Sequence, residues 1–402
     1  MFSIRWFPIF VLLFILGSVL QNPWMTSLPI LVGTIVGIAY LWNKYSLARI
    51  NYHRRIPYKR GFPGELIPIQ YEIENNKLLP LAWLRAKDPI SLSIAPDDET
   101  ILAPSTIVNM GNMVNLVNLR WFERIVRNYQ LRLRKRGVYQ LGPVTLESGD
   151  LFGLYTTYQQ RNDTEYITIF PQILPISILQ LPTDDPFGDR KSPRRLFEDP
   201  IQPIGIRSYQ TGDDFRRVHW NATAKTGHLQ VKVYQPIASQ IMVVCFNVTT
   251  MEQPWLGVFP ELFEQIIKVS TSIVYHAFQE GYAVGLLSNG YMMQSDQTFF
   301  IQPGRSRDQL INLLQAMARV THFTGANFEN HLFSSIPKIQ YGATVIIVSA
   351  FVTNRLLEAL LRLKKYRTSI TLISLESSPP PYVEGIRMIH IPFEYSSPEI
   401  QT

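Results

Sequence analysis

The stretch that decides the fold of this chain is residues 241–279, IMVVCFNVTTMEQPWLGVFPELFEQIIKVSTSIVYHAFQ. Residues 241–248 form a nearly continuous apolar run, which is typical of a parallel strand that is buried on both faces. After Pro260, apolar residues recur at steps of three and four, which predicts an amphipathic helix. A proline suits the first turn of such a helix. A buried strand followed by this helix indicates an α/β fold.

The same alternation continues toward the end of the chain and predicts an open, doubly wound sheet over residues 239–402. Ligands of such sheets bind at the carboxyl ends of the strands, which here carry residues 247–251 and 349–351. No Gly-x-Gly-x-x-Gly or phosphate loop follows a strand, so no cofactor is expected. The further elements that the pattern predicts are strands at 283–287, 343–349, 369–375 and 387–391, and helices at 309–320 and 354–365.

Upstream, residues 61–172 predict a module of short strands. In residues 66–74, apolar and polar side chains largely alternate, which places one apolar set on a single strand face. Turn residues separate several such runs, and long helical periodicity is missing, which favours a β-sandwich-like module. The alternating apolar set is Ile67, Ile69, Tyr71 and Ile73, and the other strand-like runs are 81–85, 114–119, 129–133 and 144–146.

The amino-terminal residues 1–43 predict a transmembrane helical hairpin. Two apolar runs, 6–20 and 28–42, flank a short connector that contains a proline. Each run is shorter than the roughly 20 residues of a spanning helix, but flanking residues can extend both, and aromatic residues lie where interfacial belts belong. A cleaved signal peptide is the alternative for the first run. It is less favoured because a second run follows at once.

The charges of the chain are concentrated at its amino end. The 402 residues carry a net charge of +7, and residues 1–60 contain seven Lys or Arg residues and no acid. The remaining residues therefore sum to zero, which gives no electrostatic reason to expect a nucleic acid. By the positive-inside rule, the basic juxtamembrane segment 44–60 contacts membrane lipid on the cytoplasmic side. We thus expect a two-pass protein of the cell (inner) membrane whose bulk is cytoplasmic.

Residues 173–238 combine an exposed connector with a segment that is dense in charged and aromatic residues. Asp213, Arg216 and His219 stand at three-residue steps, so a short helix would place them on one side. Such a group could perform acid–base chemistry or form a buried ion-pair network. The network is favoured, because no nucleophile stands beside the histidine and no second ligand stands at a metal-chelating interval. Trp220 is expected to be a core anchor.

This segment resembles the signature of the bacterial domain of unknown function 58 family. The resemblance extends back through 136–143, 150–154 and 194–195 to the pair of amino-terminal helices. It implies a von Willebrand factor A-like carboxyl-terminal module over residues 239–402. The signature residues, with a structural or partner-binding role, are Arg207, Tyr209, Gly212, Asp213, Arg216, His219, Trp220, Lys225 and Gly227.

The resemblance implies partners rather than a reaction. Members of the family are commonly encoded near MoxR-type AAA+ ATPases and transglutaminase-like membrane proteins, and the family has no established activity. The expected function is therefore a membrane-anchored, non-enzymatic scaffold or adaptor that recruits such an ATPase through its cytoplasmic domains. The alternative is a hydrolase or transferase with a polar site around Asp213 and His219.

One departure concerns metal binding. Metal-binding von Willebrand modules use Asp-x-Ser-x-Ser after the first strand and a further Asp on a later loop. This chain has Asn247, Thr249 and Met251 at the first place, and Ser349 ends the later strand. Because Mg²⁺ dehydrates reluctantly and is usually held by carboxylates, this degenerate position is expected to bind no divalent metal tightly. The simpler interpretation is that Asn247 and Thr249 cap the following turn.

Overall fold

The computed structural model describes residues 7–21, 23–175, 177, 179, 197–211, 213–237, 241–251, 257–293, 298–340, 342–365 and 369–393. The chain forms two compact units, Met1–Phe170 and Pro171–Thr402. The first unit has one hydrophobic core cluster among its described residues. The second has two such clusters, which lie on opposite faces of one sheet.

Two helices open the first unit, α1 (Phe7–Val19) and α2 (Pro23–Ser46), and they contact each other. α2 contains the 21-residue apolar stretch Thr26–Ser46, which by length and composition can cross a membrane. α1 has 13 residues and is about 20 Å long, which is short of the roughly 30 Å hydrocarbon core of a bilayer. One described helix thus meets the requirements of a span, and the two-pass hairpin stays a prediction.

The rest of the first unit is a β-module. Its main antiparallel sheet has the strand order β10-β9-β4-β6-β5, and two three-stranded sheets have the orders β1-β3-β7 and β2-β11-β8. The strands are β1 (Ile50–Arg55), β2 (Arg60–Gly61), β3 (Leu66–Asn75), β4 (Leu81–Ser91), β5 (Leu102–Pro104), β6 (Met110–Leu119), β7 (Arg124–Arg132), β8 (Gly137–Leu141), β9 (Val144–Gly149), β10 (Thr156–Arg161) and β11 (Glu165–Ile169).

The core of the β-module lies between these sheets. The alternating set from Ile67 to Ile73 on β3 is buried, which confirms the strand that the alternation predicted. It packs in one cluster with apolar residues of the main sheet, among them Leu84 and Ile90 of β4. The sheets therefore share a single apolar interior, and their polar residues alternate outward.

The basic juxtamembrane segment 44–60 contains a strand that the sequence pattern did not predict. Residues 50–55 form β1, which pairs antiparallel with β3 and buries Ile50 and Tyr52. Arg54 is buried as well, and its guanidinium donates to both carboxylate oxygens of Asp88 at 3.2 Å. The strand is not evident from the sequence, because its apolar residues alternate with cationic ones. A local charge pattern indicates that a side chain can be solvated. It does not show whether an oppositely charged residue elsewhere in the chain allows that side chain to be buried.

The second unit begins with an antiparallel hairpin of β12 (Phe197–Ser208) and β13 (Gln230–Ile237). Between its two strands the chain forms a 3₁₀ turn, Phe215–Arg217, and the short helix α3 (Trp220–Thr226). An isolated bridge between Val218 and Val231 ties this excursion to β13. The hairpin and its excursion contain most of the signature residues.

A six-stranded sheet follows, with the order β17-β15-β14-β19-β20-β21. All its neighbours are parallel except the pair β15 and β17, which is antiparallel. A separate two-stranded ribbon pairs β16 with β18. The strands are β14 (Ile241–Phe246), β15 (Ala283–Ser288), β16 (Gly290–Met292), β17 (Phe299–Gly304), β18 (Val320–Thr324), β19 (Thr344–Ser349), β20 (Ser369–Ser374) and β21 (Arg387–His390).

Helices cover both faces of this sheet. Met242, Val244 and Phe246 point to one face, where they pack with α4 (Pro260–Gln279) and α5 (Arg307–Arg319). Val243 and Cys245 point to the other face, where they pack with α6 (Phe328–Ser335) and α7 (Asn354–Lys364). The doubly wound α/β arrangement that the sequence predicts is therefore present, with its topological switch between β14 and β19.

Candidate functional site

The signature segment is held in place by a paired arginine and aspartate. Both guanidinium nitrogens Nη1 and Nη2 of Arg207 donate to the carboxylate of Asp213, each at 2.6 Å. The backbone N–H of Gln210 donates to the same carboxylate at 2.8 Å. The hydrogen bonds from Arg207 and from this N–H lower the pKa of Asp213 to about 2. The carboxylate of Asp213 thus accepts the hydrogen bonds that close the turn after β12.

The next two polar residues cap local structure. Asp214 accepts from the backbone N–H of Arg216 at 3.0 Å and begins the 3₁₀ turn. His219 is the N-cap of α3, and its Nδ1 accepts from the backbone N–H of Ala222 at 3.1 Å. Since Nδ1 is an acceptor in this bond, the neutral ring carries its proton on Nε2. Both side chains satisfy backbone donors that the start of a helix leaves unpaired.

The expectation that one short helix aligns Asp213, Arg216 and His219 is wrong. The three residues belong to a turn, a 3₁₀ turn and a helix cap, which are successive and separate pieces of backbone. Within the described part of the chain, no hydrogen bond or ion pair joins any two of them. The buried ion-pair network is not formed either, because the partner of Asp213 is Arg207 and the guanidinium of Arg207 is partly exposed.

Two aromatic residues of the segment, Phe215 and Trp220, face solvent. Trp220 is 65% exposed, so the expectation that it anchors a core is wrong. Phe215 is also exposed, and its ring lies 5.4 Å from the ring of Tyr209. The anchor of the excursion is Val218, which is buried beside Val231. Two large exposed aromatic side chains, Phe215 and Trp220, on one hairpin are a feature that protein-interaction surfaces share.

The remaining signature residues complete the backbone of the excursion. Gly227 ends α3 in the left-handed conformation, with φ of +73°, which a side chain would strain. Lys225 is exposed in the last turn of α3. Gly212 lies outside the described residues. The segment is therefore a solvent-facing platform that ion pairing, capping and one glycine make rigid.

The second candidate site is the carboxyl edge of the sheet at its topological switch. Asn247 follows β14 and is buried, and its Nδ2 donates to Oγ of Ser349 at 3.3 Å. Its Oδ1 accepts from the backbone N–H of Thr249 at 3.1 Å, which is the turn-capping role that the simpler interpretation expected. Asn289 adds a second side-chain amide, whose Nδ2 donates to Oδ1 of Asn247 at 3.0 Å and to Oγ1 of Thr249 at 3.3 Å.

Asn289 is a residue of this edge that the sequence reasoning missed. It directly follows β15, so the rule that strand ends carry the site would have found it. The orientation of its amide is fixed, because Oδ1 accepts from the backbone N–H of Val248 at 3.0 Å and Nδ2 must face the other way. Asn247, Thr249, Ser349 and Asn289 thus form a closed polar cluster, which we call the strand-end network.

The strand-end network does not fit a divalent cation. Its members offer amides and hydroxyls, and the N–H donors of Asn289 point at the two oxygens, of Asn247 and Thr249, that a metal would use. Mg²⁺ requires oxygen ligands that usually include a carboxylate. Across the described residues, no group of three or more His, Cys, Asp or Glu side chains could hold a metal ion. The members of the strand-end network thus satisfy one another's hydrogen-bonding groups.

Beside this network lies a cavity of about 1000 Å³. Its wall contains the apolar and aromatic side chains of Phe263, Tyr291 and Met292, with Glu264 and His322 as titratable members. The rings of Phe263 and His322 lie 6.2 Å apart. The carboxyl edge of the sheet is therefore concave, and Thr249 is the member of the strand-end network that lines the cavity.

Comparison with solved structures gives weak likenesses. The CARDB domain of a Pyrococcus furiosus protein, in complex with di-metal ions, is 10% identical with a TM-score of 0.20 and covers 30% of this chain and 91% of its own. Spo0M, a sporulation control protein from Bacillus subtilis, is 11% identical with a TM-score of 0.20, over 33% of this chain and 54% of its own. A cohesin module from Clostridium perfringens is 9% identical with a TM-score of 0.22, over 29% of this chain and 96% of its own.

Comparison with protein families and curated proteins is more specific. Uncharacterized protein YeaD of Bacillus subtilis (strain 168) is 25% identical over 187 residues, which are 46% of this chain and 44% of YeaD. The chain thus matches less than half the length of that relative. Residues 205–378, which include the signature segment, match the family described as "Protein of unknown function DUF58".

Proposed function

We propose that the chain is a membrane-anchored, non-enzymatic adaptor that recruits a MoxR-type AAA+ ATPase through its cytoplasmic domains. The observation that carries the proposal is the exposed signature segment. Arg207, Asp213, Asp214 and His219 are engaged in pairing and capping. The rings of Phe215 and Trp220 are presented to solvent. An enzyme would instead need polar groups that are free to contact a substrate in a sheltered pocket.

Charge adds to the case for a protein partner. Residues 205–234 contain five Lys or Arg residues and two Asp residues, a net charge of +3, whereas residues 61–402 sum to zero. Aromatic anchors within a cationic surround are typical of a surface that docks on an acidic patch with an apolar centre. A transglutaminase-like membrane protein is a second candidate partner in the same membrane.

The carboxyl-terminal unit is proposed to be von Willebrand factor A-like. Numbered from β14, its strand order is 3-2-1-4-5-6, and the third strand, β17, is an antiparallel edge. The family resemblance supports this assignment. In this proposal the unit serves as a binding module that has lost its metal, because the strand-end network replaces carboxylates by amides.

The adaptor proposal predicts that the tagged full-length chain retains an AAA+ ATPase from the membranes of its own cell. Trp220→Ala and Phe215→Ala should each weaken the purified interaction at least about tenfold, because truncating a central aromatic anchor typically has such an effect. Titration calorimetry or interferometry of the two purified proteins measures this. Tyr382→Ala is the matched control, since Tyr382 is an exposed aromatic residue outside the signature segment.

Recovery of no ATPase by the wild-type chain would remove the main support of the adaptor proposal. Equal loss of affinity in Tyr382→Ala would show that the signature segment is not the docking surface.

The proposed topology predicts the behaviour of fusions at both ends of the chain. Because residues 1–60 hold seven cations and no acid, both ends should be cytoplasmic. Green fluorescent protein fused before Met1 or after Thr402 should fluoresce, and alkaline phosphatase at either place should be inactive. Active phosphatase at the amino end alone would indicate that α2 is the single span. Active phosphatase after Thr402 would overturn the cytoplasmic placement.

A further inference from the structure

Three loops lie together at one end of the main sheet in the β-module. β4 begins at Leu81, which pairs with Leu119 at the end of β6, and β9 ends at Gly149 beside the start of β4. The loops that adjoin these strand ends are residues 76–80, 120–123 and 150–155. Asn75 joins the first two, because its Nδ2 donates to the carbonyls of Leu79 and Arg120. We call these three loops the tip of the β-module.

The tip contacts α2, the helix that can cross a membrane. Nζ of Lys77 donates to the carbonyl oxygens of Ser46 and Ala48, at 2.7 and 2.8 Å, at the carboxyl end of α2. The ring of Tyr155 meets that of Tyr40 edge to face, with centroids 6.1 Å apart. Tyr40 lies six residues before Ser46, which is about 9 Å along a helix. The 150–155 loop therefore reaches beside the apolar stretch Thr26–Ser46.

The tip exposes large apolar side chains. Each of five such residues has more than half of its surface exposed, and two of them are in the loop that reaches furthest along α2. Lys44, Arg49 and Arg120 are exposed around them. An apolar cluster with a cationic rim is the composition of a surface that enters the interface of a bilayer. The five residues are Leu78, Trp121, Phe122, Leu151 and Phe152.

The 150–155 loop is built to hold its apolar pair outward. Asp150 is buried, and its carboxylate accepts three backbone N–H bonds, from Phe152 at 2.9 Å, from Leu154 at 3.3 Å and from Tyr155 at 2.6 Å. Gly153 takes a φ of +71°, a backbone conformation that favours glycine. A Cβ at this position would meet no atom within 4 Å, so steric crowding is not the reason for the glycine. The segment 150–154, which the family resemblance includes, thus makes a rigid turn whose apolar residues have no partner in its own core.

We infer that the tip is a second membrane contact, in which Leu151 and Phe152 insert into the interfacial region of the bilayer that α2 crosses. The occupant is lipid, because the helix that the tip contacts is itself the apolar span. The contact fixes the height of the β-module above the membrane. This inference rests on the proposed membrane anchoring.

The test uses the full-length chain with a single environment-sensitive probe. Phe152→Cys is labelled with a nitrobenzoxadiazole dye in proteoliposomes of phosphatidylethanolamine and phosphatidylglycerol. Cys245, the one native cysteine, is fully buried, and burial raises the pKa of its thiol, so it is not labelled in the folded protein. The matched control is Val108→Cys. Val108 is an exposed apolar residue at the other end of β6, about 30 Å away along the strand.

We expect iodide in the water to quench the dye at 152 severalfold less than the dye at 108, and acyl-chain bromolipids to quench it severalfold more. Equal quenching at both positions, in protein that carbonate washing leaves in the membrane, would overturn the inference and leave the anchoring intact. Loss of the chain from the membrane on washing would instead refute the anchoring itself.

Discussion

Asp88→Ala is expected to lower the free energy of unfolding of the unit Met1–Phe170 by about 3–5 kcal/mol, because it leaves a buried guanidinium without its counter-ion. The side chains of Arg54 and Asp88 are each 1% exposed, and the hydroxyl of Tyr52 also donates to Asp88, at 3.2 Å. Burial raises the pKa of the Asp88 carboxyl, and the charge of Arg54 opposes that rise. Removing one partner is therefore strongly destabilising, whatever the intact pair contributes to the free energy of unfolding.

Hydrogen–deuterium exchange of the β3 and β4 amides in the full-length chain measures this loss within the β-module alone. Asp97→Ala is the matched control. Asp97 pairs with Arg132 at 2.6 Å, but both side chains are substantially exposed, so its loss should have an effect below about 1 kcal/mol. Arg54→Met with Asp88→Leu should recover most of the stability, because it removes both charges. Similar exchange in Asp88→Ala and Asp97→Ala would contradict the prediction.

The sequence predicted the α/β unit well because each of its main elements satisfies a local rule. β14, β19 and β20 are continuous apolar runs, and α4 carries its apolar residues at helical steps. The elements that were missed are β16, β17, β18 and α6. These are short, and β17 is an antiparallel edge strand that is only partly buried. Their place in the fold comes from pairing partners, which a local pattern does not contain.

The candidate sites were less predictable for a related reason. The alignment of Asp213, Arg216 and His219 assumed a continuous helix, whereas Asp214 and His219 each cap a new piece of backbone and break it. Asp, Ser and His side chains compete for backbone donors, so their spacing alone does not give their direction. Trp220 is not the core anchor that the sequence analysis expects, because the excursion between β12 and β13 is anchored by Val218 and leaves the indole in solvent.

The strand-end network leads to the second large effect. Asn289→Asp is expected to destabilise the α/β unit by about 3 kcal/mol in the absence of divalent metal, because a buried carboxylate replaces a donor amide. One oxygen of the new carboxylate would still accept from the backbone N–H of Val248. The other would face Oδ1 of Asn247, which in the native chain accepts from Nδ2 of Asn289. Two acceptors in contact, one of them charged, repel each other where the native amide donates.

The same substitution should create a preference for a divalent cation. A carboxylate beside Oδ1 of Asn247 and Oγ1 of Thr249 supplies three oxygens and one negative charge, which suits Mg²⁺ or Mn²⁺. Either ion should then stabilise Asn289→Asp in a concentration-dependent manner, because it binds the folded state alone. The wild-type chain should not respond, since its amide N–H groups occupy the direction from which a cation would be bound.

The rate at which a thiol reagent modifies Cys245 measures both effects. Cys245 lies on β14 and is fully buried, so modification requires the sheet to open. We expect faster modification of Asn289→Asp than of wild type, and a return toward the wild-type rate in millimolar Mg²⁺ or Mn²⁺. Asn289→Ala is the matched control, because it removes the amide without adding charge and should stay destabilised in either ion. If the wild-type rate itself fell with added metal, the native network would be a working cation site, and its closed hydrogen bonding would not exclude a cation.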